Sequence, residues 1–191
     1  MPKKILVVSG SPKKDGNTAA LISWFAEEAG SKSADVEIVA IPSLKNKSSG
    51  CISCRKCQTL EKYECVINDD LKPVLKKMTE ADVIVMATPL YFFSASAQLK
   101  LLFDRMFCLY KWDNAAGTVK TPLGGKTLVL LASAYEDIGL DALEAPFKLT
   151  ANYTKMRFKS LLVPNAGVSG EIRKNSDVRG KAFSLGEMVA A

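Results

Sequence analysis

The chain has 191 residues, of which 48% are hydrophobic and 24% charged, with a net charge of +6. That balance is ordinary for one globular domain with its own core, and it excludes disorder as the main state. Histidine is absent, which excludes Ser-His-Asp and Cys-His catalysis, histidine metal sites and the usual general base near neutral pH.

Lys3–Ser9 is a short apolar run closed by Gly10 and Pro12, the pattern of a strand. A helix is predicted from near Thr18, with Leu21, Ile22, Phe25 and Ala29 on one face and Gly30 as its stop. Val36–Ile41 is the second strand. Residues from about 45 to 68 carry neither period and form a cysteine-rich insertion. Asp69 and Asp70 open a helix that tolerates Pro73 in its first turn. Val83–Pro89 is the third strand, and Ser96–Tyr110 is helical in pattern. Lys126–Ala134 is the fourth strand. Leu140–Met156 reads as a helix bent or interrupted at Pro146. Phe158–Pro164 is the fifth strand, and Asp177–Ala191 closes as a helix weakened by Gly180 and Gly186.

Strands alternating with helices argue for an α/β fold: a parallel sheet covered on both faces. Five strands and five helices fit a flavodoxin-like three-layer sandwich with a five-stranded parallel sheet in the order 2-1-3-4-5, one domain over residues 1–191. The first apolar run, Ile5–Val8, is too short for a signal-peptide core, and no run approaches the roughly 18 apolar residues of a membrane span. A soluble, cytoplasmic protein without membrane contact is expected. The lysines are scattered rather than gathered on one face, so nucleic acid is not the expected partner. A modest positive field also suits anionic cofactors.

Ligands in such sheets bind beyond the carboxyl ends of the strands, where strand order reverses. The first strand leads into SGSPKKDGNT, which offers Ser9, Ser11, Asn17 and Thr18, with Gly10 and Gly16 for tight backbone and Lys13 and Lys14 for charge. Backbone N–H groups at a helix start, with hydroxyls, make an anion site. An ordinary capped polar turn is the competing explanation. The glycine spacing fits neither a P-loop nor a G-x-G-x-x-G fingerprint. The third strand ends in Pro89, Leu90, Tyr91, Phe92 and Phe93, bulky groups where a loop is normally polar. They suit a flat ring, or else a core or subunit interface. Beside a phosphate loop, a phosphate-bearing flavin is the better account.

GSPKKDGNT followed by TPLYFFSASAQLKLLFDR resembles the NAD(P)H-dependent FMN reductases of the flavodoxin superfamily, and with the cysteines included the chain most resembles their iron–sulfur flavoproteins. The resemblance implies that Ser9, Ser11, Asn17 and Thr18 hold the FMN phosphate, and that Pro89, Leu90, Tyr91 and Phe92 line the isoalloxazine. It further implies that Ser133 and Ala134 add contacts from the fourth strand. Lys13 stands where an Arg is frequent, which keeps the charge but loses the planar fork. Phe93 stands where a small residue is usual.

Cys51, Cys54 and Cys57 are spaced C-x2-C-x2-C, and Cys65 follows after seven intervening residues. The first three match the start of a bacterial ferredoxin run. Spacing and resemblance together point to a [4Fe–4S] cluster on these four. Lys45, Lys47, Arg55, Lys56 and Lys62 would offset its negative charge. Zinc, which usually takes paired hooks far apart, and thiols without metal are the alternatives; disulfides are disfavoured in a cytosolic protein. By resemblance, Ser53 replaces a glycine between the first two cysteines. Cys108 reads as a small core residue, and Asp104 and Arg105 as members of ion pairs.

The resulting expectation is an FMN-dependent oxidoreductase whose chemistry is carried by the flavin, with no catalytic side chain required. NAD(P)H or a ferredoxin-type carrier would supply electrons, and a homodimer or homotetramer is implied by the resemblance, with Trp112 available for an interface. A non-enzymatic flavodoxin-type carrier is the alternative; such carriers tend to be acidic, against the +6 here.

Overall fold

A computed structural model describes residues 1–113 and 115–191. In chain order the elements are β1 (Lys4–Ser9), α1 (Asn17–Ser31), β2 (Asp35–Ala40), α2 (Leu71–Glu80), β3 (Val83–Tyr91), β4 (Ser94–Ala95), α3 (Ala97–Arg105), β5 (Lys111–Asp113), β6 (Thr118–Lys120), β7 (Thr127–Ser133), α4 (Leu140–Tyr153), β8 (Arg157–Val163) and α5 (Ser176–Ala190). The main sheet runs β2-β1-β3-β7-β8, and every neighbouring pair along it is parallel. This is the expected 2-1-3-4-5 order, with β7 and β8 as its fourth and fifth strands. β4 folds back antiparallel on the end of β3, and β5 and β6 form a separate hairpin.

The strands are apolar throughout because helices cover both faces, and alternate side chains feed two cores. Leu6, Val8, Ile84, Met86, Leu128 and Leu130 meet Leu75 and Met78 of α2, Leu102 of α3 and Phe147 of α4. Ile5, Val7, Val83, Val85, Val129 and Leu131 meet Leu21 and Phe25 of α1 and Val178 and Leu185 of α5. Trp24 belongs to this second core, being 7% exposed.

Four details differ from expectation. Gly186 does not weaken α5 to no purpose: a Cβ there would lie 2.6 Å from the Phe25 carbonyl oxygen, so the glycine lets α5 press onto α1. Pro146 does not interrupt α4, which runs unbroken from Leu140 to Tyr153, forgoing only the bond a backbone N–H would make to Ala142. β3 continues two residues past Pro89 and turns at Phe92 and Phe93, whose φ angles of 45° and 62° are both left-handed. A two-residue hairpin turn requires that geometry, but Asn-Gly is its usual signal. The helix expected over 96–110 ends at Arg105, and Met106–Leu109 tighten into a 3-10 turn.

Candidate functional site

The carboxyl ends of β1, β3 and β7 lie side by side, with Ser9 opposite Ala87 and Pro89 opposite Ser133. Gly10 N–H donates to the Ala87 carbonyl at 2.8 Å. A Cβ on Gly10 would stand 2.5 Å from Leu99 Cβ and 2.7 Å from Ser96 Oγ, so no other residue fits there unshifted. Ser96 Oγ donates to the Gly10 carbonyl at 2.7 Å, while Ser96 N–H donates to Thr88 Oγ1 at 2.9 Å. Ser96 also caps α3 by accepting from Leu99 N–H. Ser96 and Thr88 are fully buried, and such satisfied buried hydroxyls fix geometry. They fasten the loop after β1 to the loop after β3.

Between these loops opens a crevice of about 360 Å³. Ser11, Lys13, Asn17, Thr18, Pro89, Leu90, Tyr91 and Ser133 line it, together with Gly16 and Ala134. Ser9 lies beneath rather than in the wall: it is 8% exposed, and its Oγ accepts from Ser11 N–H at 3.4 Å. Phe92 is likewise outside the lining, at the tip of the hairpin and 98% exposed. Ser11 Oγ accepts from Lys13 N–H at 3.3 Å, folding the loop on itself. Thr18 and Ser133 share a hydrogen bond of 3.2 Å between their hydroxyls. Gly16 is the N-cap of α1, and no side chain caps that helix, leaving its leading N–H groups to a ligand.

Asn17 acts as a brace. Its Nδ2 donates to the carbonyls of Ala166, Gly167 and Val168 at 3.0, 3.3 and 3.1 Å, and its Oδ1 accepts from Ile172 N–H. It thereby holds against the crevice a segment that sequence reasoning missed, Ala166–Ser169 after β8. The signal was available: Pro164, Gly167 and Gly170 mark a turn at the carboxyl end of a strand, the same rule that picked out the other loops. Tyr135 also lines the crevice unforeseen. The Phe93 ring lies where a Cβ on Gly139 would be, 2.2 Å from its Cδ1, so the hairpin tip rests on the start of α4.

The cysteine segment has one short 3-10 turn, Lys56–Gln58. Ser53 and Arg55 both take φ of 56°, which accounts physically for a glycine being favoured at position 53. All five cysteines are free thiols; Cys51 and Cys54 are exposed, Cys65 half-buried, Cys57 and Cys108 buried. Burial pushes the Cys57 thiol up; Gln58, whose Nε2 lies 3.7 Å from the sulfur, opposes this, and Cys65, Cys51 and Cys54 add to the rise. Burial, then Cys65 and Cys57, push Cys108 up to about 12. Among the described residues, no three His, Cys, Asp or Glu side chains converge closely enough to hold a single ion.

Side chains hold the segment. Asp70 Oδ2 accepts from Lys45 N–H at 2.8 Å and Asp69 Oδ2 from Lys47 N–H at 3.0 Å. Gln58 Nε2 donates to the Tyr110 carbonyl at 3.0 Å. Arg105 Nη1 donates to both Asp69 oxygens at 2.8 and 2.6 Å, and Nη2 to the Ile67 carbonyl at 3.2 Å. Asp104, by contrast, makes a surface pair with Lys100. Trp112 is 45% exposed and packs against Phe107 and Tyr110. A larger cavity, about 680 Å³, lies beside the segment between Lys62–Glu64 and Lys72, Pro73 and Lys76, and none of the expected ligand residues lines it.

The model of the NADPH-dependent FMN reductase family matches residues 3–169. An iron–sulfur flavoprotein of Methanocaldococcus jannaschii is 37% identical over 102 residues, 53% of this chain and 51% of that protein. One from Methanosarcina thermophila is 36% identical over 106 residues, 56% of this chain and 53% of that protein. The chain thus spans about half the length of the curated relatives it matches. Among solved structures, an FMN-dependent NADH-azoreductase from Bacillus anthracis in complex with FMN superimposes with a TM-score of 0.77 at 14% identity, covering 99% of this chain and 100% of that one. An NAD(P)H:quinone oxidoreductase from Methanothermobacter marburgensis gives 0.76 at 14% identity, covering 100% and 98%. At that identity the likeness establishes the fold, while the profile match over most of the chain establishes more: the chain belongs to the NADPH-dependent FMN reductase family.

Proposed function

We propose that the protein is an FMN-dependent oxidoreductase, with FMN in the crevice at the ends of β1, β3 and β7. The observation that carries this reading is the pairing of two unlike walls. One wall is an uncapped helix start with Ser11 and Lys13; the other is Pro89, Leu90 and Tyr91. The first suits an anion, and the second suits one face of a flat ring. In this reading Asn17 serves the phosphate through its backbone and by bracing residues 166–168, and Thr18 and Ser133 hold the floor. Ser9 supports the loop from beneath, and Phe92 reaches the ring only if the hairpin tip or a second copy of the chain brings it there. Bound flavin supplies two-electron and one-electron transfer; the chain's part is to bind, orient and exclude water. NAD(P)H is the proposed hydride donor.

Cys51, Cys54, Cys57 and Cys65 would hold a [4Fe–4S] cluster, which supplies one-electron exchange with a ferredoxin-type carrier. Four free thiols on one segment fit that group in number and kind. Among the described residues these thiols do not converge on a single ion, so the cluster reading rests on their number, kind and spacing. We read the chain as one cytoplasmic domain with the cysteine segment inserted between β2 and α2. Exposed Tyr91, Phe92 and Phe93 support assembly into a homodimer or homotetramer.

Anaerobic purification followed by absorption spectra, iron and sulfide analysis, and reduction by NADH, NADPH and reduced ferredoxin tests the whole reading. Turnover of NAD(P)H is expected. Flavin reduction by ferredoxin with no NAD(P)H turnover would instead favour an electron carrier.

A further inference from the structure

The cavity of about 680 Å³ beside α2 is larger than the flavin crevice of about 360 Å³. Its size falls within the range of small-molecule sites, about 300–1,000 Å³. It follows from the period of α2. Val74, Leu75 and Met78 are buried in the core, which turns Lys72, Pro73 and Lys76 to the other face and into the cavity wall. Residues 62–64, just before Cys65, form part of the same lining, together with Pro122.

The lining combines two chemistries. The first is charge. Lys62, Lys72 and Lys76 stand against one lining carboxylate, Glu64. Lys72 Nζ is 3.5 Å from Glu64 Oε2, and Lys76 Nζ is 3.6 Å from Glu80 Oε1. Both lie beyond the roughly 2.7–3.2 Å of an N–H···O bond, whereas Lys181 closes to 2.7 Å on Asp177. Loose, exposed pairs of this kind contribute little, so a phosphate offering short charge-assisted bonds can take over these ammonium groups. The second is flat, stiff apolar surface. Tyr63 is half-buried, and Lys111 Nζ stands 5.1 Å from its ring centroid. Lys111 is itself anchored, donating to the Leu60 carbonyl. Pro73 and Pro122 have no rotamer freedom to lose. An aromatic base stacks on such surfaces whatever its sequence of ring substituents.

We infer that this cavity is a nucleotide site. The base lies against Tyr63, Pro73 and Pro122, the ribose hydroxyls donate to Glu64, and the phosphates take Lys62, Lys72 and Lys76. An acidic carboxylate on ribose beside an anion site for phosphate is the usual division of labour in nucleotide recognition. An acidic peptide would use the same lysines but not the ring surfaces. The ligand would join the cysteine segment to α2 across the cavity. The site needs neither the flavin nor the cluster reading. A free nucleotide and the nucleotide half of NAD(P)H share this chemistry.

The test titrates the whole chain with ADP in a calorimeter, in excess FMN so that the crevice is blocked. Saturable uptake of one ADP per chain is expected, weakening as salt rises. Lys72→Gln with Lys76→Gln should weaken it at least tenfold; melting curves will show that these surface changes leave the fold intact. Tyr63→Leu should erase the preference for ADP over pyrophosphate. Hydrogen exchange should slow at residues 62–68 when ADP is bound. NADP+ binding as tightly as ADP would assign the cavity to the nucleotide half of the donor, and ADP binding alone to a free nucleotide; either upholds the site. No saturable uptake, uptake that FMN displaces, equal affinity for pyrophosphate in the wild-type chain, or indifference to the lysine changes overturns it and leaves the flavin reading standing.

Discussion

The crevice and the cysteine segment are held by opposite means. The crevice is made of strand ends: parallel registers place Ser9, Ala87, Pro89 and Ser133 in line, and a few buried hydroxyls finish the job. Its geometry is inherited from the parallel registers of the sheet. The cysteine segment has almost no regular structure, so a few side chains do for it what the ladders do for the sheet. Damage to a single residue should therefore be shared out in the first region and concentrated in the second.

The largest effect should come from separating the buried pair. Asp69→Asn leaves the guanidinium partly uncompensated, and removing one partner of a buried pair costs about 3–5 kcal/mol. Denaturant melts should show that loss, and FMN affinity should be unchanged in the fraction that folds. The double change Arg105→Met with Asp69→Leu should regain most of the stability, because an apolar pair of similar bulk replaces the ions. Equal FMN loss in the single variant would mean that the two regions are not independent.

Next comes Gly10→Val. Its side chain meets Leu99 Cβ and Ser96 Oγ, and overpacking of this kind costs about 1–3 kcal/mol. Here the expected pattern is reversed: FMN binding falls sharply in a calorimetric titration while the alkylation pattern of the cysteine segment is unchanged. A smaller, opposite effect is expected at Phe92. The residue is 98% exposed with φ of 45°, so Phe92→Asn relieves left-handed strain without uncovering a core. It should raise stability by about 1 kcal/mol, visible as a higher melting temperature. Stability lost instead would show that the ring is covered, as in an oligomer.

Two milder perturbations sharpen the picture of the cysteine segment. Because the folded pKa of Asp69 is held below its ordinary 3.8, the pair contributes fully above that value and fades as pH falls through the lower folded pKa. Acid melts of wild type and the double apolar variant should therefore run close together above pH 4, with wild type falling below the variant well below it. In the metal-free chain, alkylation followed by mass spectrometry should label exposed Cys51 and Cys54 first and spare Cys57 and Cys108, whose thiols burial pushes up. Uniform labelling would mean the segment is not ordered without its group.

The two regions were also unequally legible from sequence. Period and punctuation sufficed for the five parallel strands and the loops after β1 and β3, since those signals are local; the strand order came from the flavodoxin-like pattern that five alternating strands and helices fit. The hairpin at Phe92 and Phe93 was not legible, because its turn uses phenylalanine where glycine or asparagine is the cue. Residues 166–169 carried a local turn signal in Pro164, Gly167 and Gly170, but the bridge from Asn17, about 150 residues away, that holds them at the crevice is reported by no local pattern. The same holds for Arg105: from the sequence it reads only as a member of an ion pair, and only the path of the segment from 65 to 69 shows that the pair is buried. Gly186 misled for a related reason, since helix propensity is local and the contact with Phe25 is not.

The central claim is that the crevice takes FMN, and calorimetric titration of the flavin-stripped chain tests it most directly. Saturable uptake of one FMN per chain, weakened by Gly10→Val and far weaker for riboflavin, which lacks the phosphate, is the predicted result. No saturable uptake, or equal affinity for riboflavin and FMN, would contradict the account.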